Sequence, residues 1–302
     1  MSEVNPVDHT ECVLAIDFGG TKIDVAVATP AGVLLRRERH TIDHSASAQA
    51  IVEDAFARAL HLADWATQEF GAAVSAAAIA SPGIVQEQGI DLAPNVGGWT
   101  SLRLPETARR TLQLPFVIGN DVNFATQAEL TSGALRGVQN GVYLGLGTGI
   151  GAGLVVGGRL VRGQNGIAGE IGYIRTRSGS ILEDQIGGRA IEASAAAVAG
   201  RGVRASDVFE SATGPLAAVA VRAVDALTEV IENIVWMLDP ERIVVGGGVS
   251  SAPSLIHDLK LTLSGHPYPV DIRAGEFVHD AVVRGLAIAA GELALRKEPS
   301  WS

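Results

Sequence analysis

Apolar residues at the start of the chain fall into short runs that glycine and threonine interrupt. Val13–Phe18 is apolar at all but one position, which predicts a buried strand. The run breaks at Gly19–Thr21 and resumes at Ile23–Ala28, so we expect a tight turn into a second strand. Pro30–Gly32 predicts another turn, and the alternation in Val33–Arg39 predicts a third strand. The chain therefore begins with a three-stranded antiparallel unit.

A helix and two further strands are predicted after this unit. Apolar residues recur at helical spacing over Ala50–Phe70, and Ser47 precedes them at the N-cap position. Val74–Ala80 and Phe116–Gly119 are short apolar runs, which predict buried strands.

The residues that end these two strands are candidates for a functional site. Ser81 and Gly83 follow the first strand, and Asn120 and Asp121 follow the second. Ligands of open α/β sheets bind beyond the carboxyl ends of strands, so these positions carry more weight than other polar residues. Taken alone, Asn120-Asp121 is more typical of a helix cap or a turn.

The pattern of the N-terminus returns later in the chain. Val142–Leu146 predicts a strand, Gly147–Gly151 a glycine-threonine loop, and Ala152–Val156 a second strand. Gly157-Gly158 then turns the chain into Arg159–Val161. A repeat of this kind predicts two similar α/β domains. Three further elements complete the pattern: a helix at Pro215–Leu238, a strand at Arg242–Val245 and a helix at Ala281–Leu295.

Composition fits a globular protein and restricts its partners. The chain has 302 residues, of which 47% are hydrophobic, and a formal net charge of −10, which argues against nucleic acid as a partner. The single cysteine, Cys12, excludes an intramolecular disulfide and a multi-cysteine metal cluster. The N-terminus is polar and no apolar run reaches membrane-spanning length, so we expect no membrane partner and a cytoplasmic location.

Glycine-rich turns at equivalent positions of the repeat are candidate phosphate loops. Bare backbone lets amide groups converge on an anion, and threonine adds a hydroxyl donor. We predict that Asp17–Lys22 and Gly145–Gly151 contact phosphates, that Gly246–Gly248 contacts a nucleoside, and that Asp17 holds Mg²⁺ through water. The predicted ligands are Gly19, Gly20, Thr21, Lys22, Gly147, Thr148, Gly149, Gly247 and Gly248. Plain turns are the alternative at all three places.

The second loop also matches the dinucleotide-binding fingerprint at Gly147–Ala152. That fingerprint requires a helix to begin there, whereas Leu154–Val156 and the glycine pair after it predict a strand and a hairpin. We therefore reject a dinucleotide fold.

Five motifs in order resemble the ROK family of sugar kinases and sugar-responsive repressors, within the hexokinase, actin and Hsp70 superfamily. They are Asp17–Lys22, Gly119–Asn123, Leu144–Gly153, Gly163–Gly172 and Val245–Val249. The resemblance covers about Val13–Ala290 and implies a duplicated RNase H-like α/β fold, with ATP and a sugar in a cleft between two domains. We accordingly predict a flexible tail (1–10), a smaller domain (11–120 with a helix at about 281–300) and a larger domain (121–280). Relatives are usually homodimers, so we expect one here.

The resemblance also implies roles for individual residues. Asp121 would accept the proton of the sugar hydroxyl. The implied sugar ligands are Gly83, Asn95, Asn120, Asp121, Glu170 and Glu183. Amide and carboxylate groups make such a site selective, because a missing hydroxyl leaves a buried polar group unpaired. Outside the family context, Asn95 is typical of a surface turn and Glu183 of a solvated helix start.

One segment departs from the family pattern. The motif normally continues into a histidine and a cysteine-containing segment that bind zinc, but Tyr173 stands at the histidine position and Arg175–Glu183 has no cysteine. Because tetrahedral zinc needs thiolate or imidazole ligands, we expect no zinc. Because Tyr173 replaces the family histidine, the resemblance does not identify the preferred sugar.

These observations predict an enzyme that transfers the γ-phosphate of ATP to a hexose hydroxyl, with the 6-hydroxyl of glucose as the first choice. Mannose, fructose, an amino sugar or an N-acetylhexosamine is the alternative acceptor, and polyphosphate the alternative donor. A DNA-binding regulator is one rival, although a glycine loop at residue 17 leaves no room for a preceding recognition helix. A sugar-binding protein with weakened catalysis is the other, and the presence of both Asp17 and Asp121 argues against it.

Overall fold

The computed structural model describes residues 11–43, 45–86, 89–91, 97–177, 179–211 and 213–296. These residues form two compact units. The first unit comprises the described residues up to Ala128 and from Val282 onward, and the second unit comprises Glu129–Ala281. The predicted tail, residues 1–10, lies outside the described residues.

The described chain contains both strands and helices, as predicted for an α/β protein. The strands are β1 (Glu11–Phe18), β2 (Lys22–Ala28), β3 (Leu34–Thr41), β4 (Ala73–Ala80), β5 (Ile84–Gln86), β6 (Gly89–Asp91), β7 (Phe116–Gly119), β8 (Gly141–Leu146), β9 (Ile150–Val156), β10 (Arg159–Val161), β11 (Arg242–Gly246) and β12 (Asp271–Ala274). The helices are α1 (Ala48–Phe70), α2 (Leu104–Leu112), α3 (Asp121–Ser132), α4 (Glu183–Ile186), α5 (Gly188–Ala199), α6 (Ala205–Phe209), α7 (Gly214–Leu238), α8 (Pro253–Thr262) and α9 (Ala281–Leu295).

A five-stranded sheet in the order β3-β2-β1-β4-β7 forms the centre of the first unit. β1, β2 and β3 are antiparallel neighbours, whereas β4 and β7 run parallel to β1. Leu14 and Ile16 pack into a core with α1 and α2, while Val13 and Ala15 face a second core with α9. β1 is therefore buried on both faces, which explains why it is almost entirely apolar.

The long helix of the first unit begins and ends as predicted. The Ser47 hydroxyl accepts a hydrogen bond from the Ala50 amide at 3.2 Å, which caps α1. Gly71 ends the helix with a φ of 66°, a left-handed conformation that glycine adopts without steric cost.

The second unit repeats the topology of the first. Its sheet has the order β10-β9-β8-β11-β12, with β8, β9 and β10 antiparallel and β11 and β12 parallel to β8. β9 begins at Ile150, immediately after the glycine-threonine loop. The predicted repeat is therefore confirmed, and so is the rejection of a dinucleotide fold, because a strand and not a helix follows the loop.

Several short elements were not predicted from the sequence, among them α2, α5, α8 and β12. α8 begins with Pro253, and β12 is a four-residue strand at the edge of the described sheet, next to β11. Elements this short depend on packing rather than on their own propensity, so the sequence pattern identifies them poorly. Among the described residues, no helix is long and apolar enough to cross a membrane.

Close packing between α9 and α3 yields a stability prediction for Gly285. A Cβ atom there would collide with the carbonyl oxygen of Phe124, so Gly285→Ala should lower the free energy of unfolding by about 1–3 kcal/mol. The clash should outweigh the gain of about 1 kcal/mol that alanine brings to a helix. Denaturant unfolding measures the change. Gly202→Ala, where a Cβ would meet nothing within 4 Å, is the control, and equal stability of the two variants would contradict the prediction.

Candidate active site

Asp17 and Asp121 lie at the same edge of the first sheet. Asp17 is in register with Ala80 of β4, and Ala80 is in register with Gly119 of β7. Two strand spacings therefore separate Asp17 from Gly119, a distance of about 10 Å. Asp121 follows two residues later as the first residue of α3. Parallel strands thus bring the two carboxylates to the edge where the sequence predicted a site.

The environment of Asp17 disfavours its negative charge. The pKa of Asp17 is raised to about 8, chiefly by burial and then by the neighbouring carboxylates of Asp121 and Asp24, against the lowering effect of Arg37 and Arg39. The Asp17 Oδ1 atom is buried and accepts no hydrogen bond from the described part of the chain. An added cation at this oxygen would therefore favour the charged form of Asp17.

Asp24, opposite Asp17 on the adjacent strand, is a carboxylate whose negative charge is compensated by arginines. Asp24 lies opposite Asp17 in the β1–β2 register, and it accepts hydrogen bonds from Arg37 Nε at 2.6 Å and Arg39 Nε at 3.0 Å. Two arginines thus neutralise Asp24, while Asp17 on the adjacent strand keeps an unpaired oxygen.

Asn120 caps α3, as the helix-cap alternative anticipated. Its Oδ1 atom accepts hydrogen bonds from the amides of Val122 at 2.8 Å and Asn123 at 3.2 Å. The Val122 amide also lies 2.8 Å from Asp121 Oδ1. Burial raises the pKa of Asp121, and hydrogen bonds from the backbone amides of Val122 and of Asp121 itself lower it by less. The cap therefore positions a carboxylate that holds its proton more tightly than an ordinary aspartate.

The first glycine loop is a tight turn between β1 and β2. The Gly19 amide donates to the Lys22 carbonyl at 3.0 Å, and a Cβ atom at Gly19 would lie 2.9 Å from that carbonyl oxygen. At Gly20 a Cβ would meet nothing within 4 Å, and its φ is not in the left-handed region. The fold therefore explains glycine at position 19 but gives no packing reason for glycine at position 20.

The second glycine loop joins β8 and β9 and is supported from one side. The Gly147 amide donates to the Gly149 carbonyl at 3.0 Å, and the amides of Gly188 and Arg189 donate to the carbonyls of Gly147 and Thr148 at 3.0 and 3.1 Å. A Cβ at Gly149 would collide with the Glu183 carboxylate, whereas a Cβ at Gly147 would meet nothing within 4 Å. The first residues of α5 therefore hold the loop through backbone hydrogen bonds, and the space around the Gly147 α-carbon stays unfilled.

The third glycine cluster lies next to the second loop, because β11 pairs with β8. Gly246 is in register with Gly145, so the segments that follow β8 and β11 leave the sheet at the same edge. Gly247 has a φ of 84°, and a Cβ there would collide with the Leu146 carbonyl. At Gly248 a Cβ would meet nothing within 4 Å. The structure thus brings the predicted loop residues of the second unit together.

Three predicted or unusual residues of the second unit also lie close together. Burial raises the pKa of Tyr173, and the carboxylates of Glu170 and Glu183 raise it further. Glu183 is the first residue of α4, and its Oε2 atom accepts a hydrogen bond from the Ile150 amide at 3.2 Å. Support of the glycine loop is a role of Glu183 that the sequence did not indicate, while its contact with a sugar stays a prediction.

Trp99 is a site-supporting residue that sequence reasoning missed. It is fully buried, its Nε1 donates to Ser81 Oγ at 2.9 Å, and its ring lies 5.4 Å from that of Phe18. Gly83, with a φ of 79°, follows the same strand end, and Asn95 lies outside the described residues. A tryptophan just after two glycines was the available signal for such an anchor.

No group of three or more histidine, cysteine, aspartate or glutamate side chains that could hold a metal ion occurs in the described ranges. The expected absence of zinc stays a prediction.

The raised pKa of Asp17 predicts how the stability of the ligand-free protein depends on pH. The folded pKa of about 8 exceeds the ordinary value of 3.8, so the protonated carboxyl's contribution to stability is full below pH 4 and is lost as the pH rises through 8. Asp17→Asn cannot ionise, so it should gain stability over the native chain by at most about 1.4 kcal/mol per pH unit between these values. Denaturant unfolding at pH 5, 7 and 9 measures the gain.

Asp64→Asn, at an exposed position of α1, is the control for this measurement. Parallel pH profiles for Asp17→Asn and the unsubstituted chain would show that the burial of Asp17 has no energetic consequence.

Comparisons with known proteins agree with the geometry. The ROK family model matches residues 13–292. The chain is 29% identical to a glucokinase of Streptomyces coelicolor, with 92% of this chain and 97% of the relative covered. It is 32% identical to an N-acetylmannosamine kinase of Shigella boydii, with the same coverage of both chains.

A solved structure gives the same result for the fold. The ROK family glucokinase of Streptomyces griseus in complex with glucose and AMPPNP superposes with a TM-score of 0.78 at 26% identity, and the match covers 93% of this chain and 99% of that chain. The predicted duplicated fold of the actin and hexokinase class is thereby confirmed. Since the family model and these relatives all cover nearly its whole length, the chain belongs to the ROK family of sugar phosphotransferases.

Proposed function

We propose that this protein transfers the γ-phosphate of ATP to the 6-hydroxyl group of glucose, with Asp121 as the general base. The observation that carries the proposal is the placement of Asp121 at the start of α3, beside the unpaired carboxylate of Asp17 at the same sheet edge. Phosphoryl transfer needs one positioned base together with positive charge at the phosphates. Asp121 supplies the base, and Asp17 supplies an anchor for the cation.

Asp121 acts on the acceptor hydroxyl. Its carboxylate accepts the hydroxyl proton while the hydroxyl oxygen bonds to the γ-phosphorus and the bond from that phosphorus to ADP breaks. Its raised pKa makes Asp121 a stronger base than an ordinary aspartate, so the transfer of this proton is more favourable. Asn120 keeps the carboxylate at the first turn of the helix.

Mg²⁺ is the cation that fits Asp17. An unpaired carboxylate oxygen is a ligand that Mg²⁺ accepts, and this ion commonly keeps several waters and uses few protein ligands. When bound, it would neutralise charge on the transferred phosphoryl group. Asp17 would hold it through water, which also removes the cost of ionising this carboxyl in the folded protein.

The glycine loops supply the contacts to the nucleotide. Gly20, Gly147 and Gly248 have no packing reason to be glycine, since a Cβ atom at each would meet nothing within 4 Å. Bare backbone that faces open space is suited to a phosphate or a flat ring that approaches the amides. The other predicted ligands are Gly19, Thr21, Lys22, Thr148, Gly149 and Gly247.

Glucose is the acceptor we favour because glucokinases occur among both the relatives and the solved structures. The proposed ligands are Gly83, Asn95, Asn120, Asp121, Glu170 and Glu183. The N-acetylmannosamine kinase relative supports an N-acetylhexosamine as the second candidate. Tyr173, beside Glu170 and Glu183, is the residue most able to change this preference, since its phenol reaches differently from a histidine.

The proposed assembly is a cytoplasmic homodimer without a nucleic-acid partner. Support for self-association comes from Trp236, Met237 and Tyr268 in the second unit, whose side chains are 62%, 82% and 59% exposed. Trp236 packs edge-on against Tyr268 with 5.5 Å between the ring centroids, so these two exposed rings form one apolar surface.

A hexose panel tests the reaction and its base together. Glucose, mannose, fructose, glucosamine, N-acetylglucosamine and N-acetylmannosamine are each assayed with ATP and with polyphosphate, in the presence of Mg²⁺. We expect the highest kcat/KM with glucose and ATP, and Asp121→Asn should lower kcat by about 10²–10⁴-fold. Asp64→Asn is the matched control. The proposal fails if no sugar is phosphorylated or if Asp121→Asn retains full activity.

Gly147→Ala tests the open face of the second loop. Because a methyl group has room there, the folded protein should keep its Tm, while the KM for ATP should rise by at least about tenfold, equivalent to 1.4 kcal/mol of lost binding. Gly202→Ala should change neither quantity. An unchanged KM for ATP would mean that the phosphates do not approach Gly147.

A further inference from the structure

A hydrogen-bonded hairpin separates two of the residues that we assign to the sugar site. Leu182 donates its amide to the Ile174 carbonyl at 2.9 Å, and Arg175 and Ile181 form a β-bridge. Tyr173 immediately precedes this hairpin, and Glu183 immediately follows it. The conformation of the hairpin therefore decides where both side chains lie relative to Glu170.

One side chain of α4 ties the hairpin together. The Gln185 side-chain amide nitrogen lies 2.6 Å from Thr176 Oγ1 and 2.6 Å from Ser180 Oγ. The backbones of the same two partners are also joined, because the Thr176 amide donates to the Ser180 carbonyl at 3.0 Å. Gln185 thus reaches both arms of the hairpin from outside, and we call these three residues the Gln185 clamp.

α4 connects the clamp to the second glycine loop. It has only four residues, which is too few for a helix to be stable by its own hydrogen bonds. Glu183 at its start accepts from the Ile150 amide, and Gln185 near its end binds the hairpin. Contacts at both ends therefore hold α4 in place, together with Leu182 and Ile186 in the core.

We propose that Gln185 is a positioning residue for the sugar acceptor: it holds the hairpin so that Glu170, Tyr173 and Glu183 keep one arrangement. The inference rests on the proposed function, because it assigns these three residues to the acceptor site. Gln185 touches neither substrate in this account and acts through the hairpin.

Gln185→Met is the informative substitution, since methionine keeps the length and volume of the side chain but loses both hydrogen bonds. We expect the KM for the sugar to rise about tenfold or more, with the KM for ATP changed less than twofold. Gln68→Met, at an exposed position of α1, is the matched control and should leave both constants unchanged.

A double-mutant cycle separates the clamp from general destabilisation. As a single substitution, Thr176→Val removes one partner of Gln185 and should raise the KM for the sugar. In the Gln185→Met background it should raise the sugar KM by less than it does alone, because the bond to Gln185 is already lost and only the bond from Thr176 Oγ1 to the Ser180 carbonyl remains to be removed. Fully additive effects on the sugar KM would overturn the clamp.

Hydrogen exchange without substrates keeps this test independent of the proposed function. Gln185→Met should speed amide exchange in peptides that span 174–186 and leave β1 and β4 protected. Unchanged exchange in 174–186 would overturn the clamp whatever the activity, and faster exchange with a native sugar KM would overturn its positioning role. If the native chain phosphorylates no sugar but Gln185→Met shows the expected faster exchange, the proposed function is wrong. The role of Gln185 at the acceptor site is then wrong as well.

Discussion

A buried carboxylate oxygen that accepts no hydrogen bond favours a proton or a bound cation, and Oδ1 of Asp17 is such an atom among the described residues. It lies in β1, whose neighbours β2 and β4 place Asp24 opposite it and Asp121 at the same sheet edge. Asp24 is neutralised by two arginines, whereas Asp17 is not. The apolar cores on both faces of β1 bury the residues that precede Asp17, and they leave its Oδ1 atom without a hydrogen-bond donor among the described residues. The proposed Mg²⁺ site, and the charge that the phosphates would meet, follow from this constraint.

The fold was predictable where the apolar pattern was continuous or repeated. α9 and β7 occur at the predicted residues, and the repeat of strand, glycine turn and strand predicted two sheets with the same strand order. α5 and β12 were missed because their stability comes from packing against α7 and β11, which no local pattern records. Tertiary contacts therefore determine the position of elements, such as α5 and β12, that local sequence propensity does not predict.

The candidate site was predictable at strand ends and glycine turns, where residue type and position coincide. Asp17, Asp121 and the loop glycines lie where the pattern placed them. The supporting roles of Trp99, Glu183 and Gln185 were not found, because these residues act through hydrogen bonds to Ser81, Ile150 and Thr176 that no local pattern records. A single sequence shows which residues can carry chemistry, but it does not show which residues hold them in place.

The proton balance of nucleotide binding tests the central role of Asp17 most directly. If Asp17 is protonated in the ligand-free protein at pH 7 and ionised when it holds Mg²⁺, binding of Mg²⁺ with ADP should release up to about one proton. Calorimetry in buffers of different ionisation enthalpy measures this number for the native chain and for Asp17→Asn. The account predicts release that depends on Asp17. Binding with no proton release, or with the same release in Asp17→Asn, would contradict it.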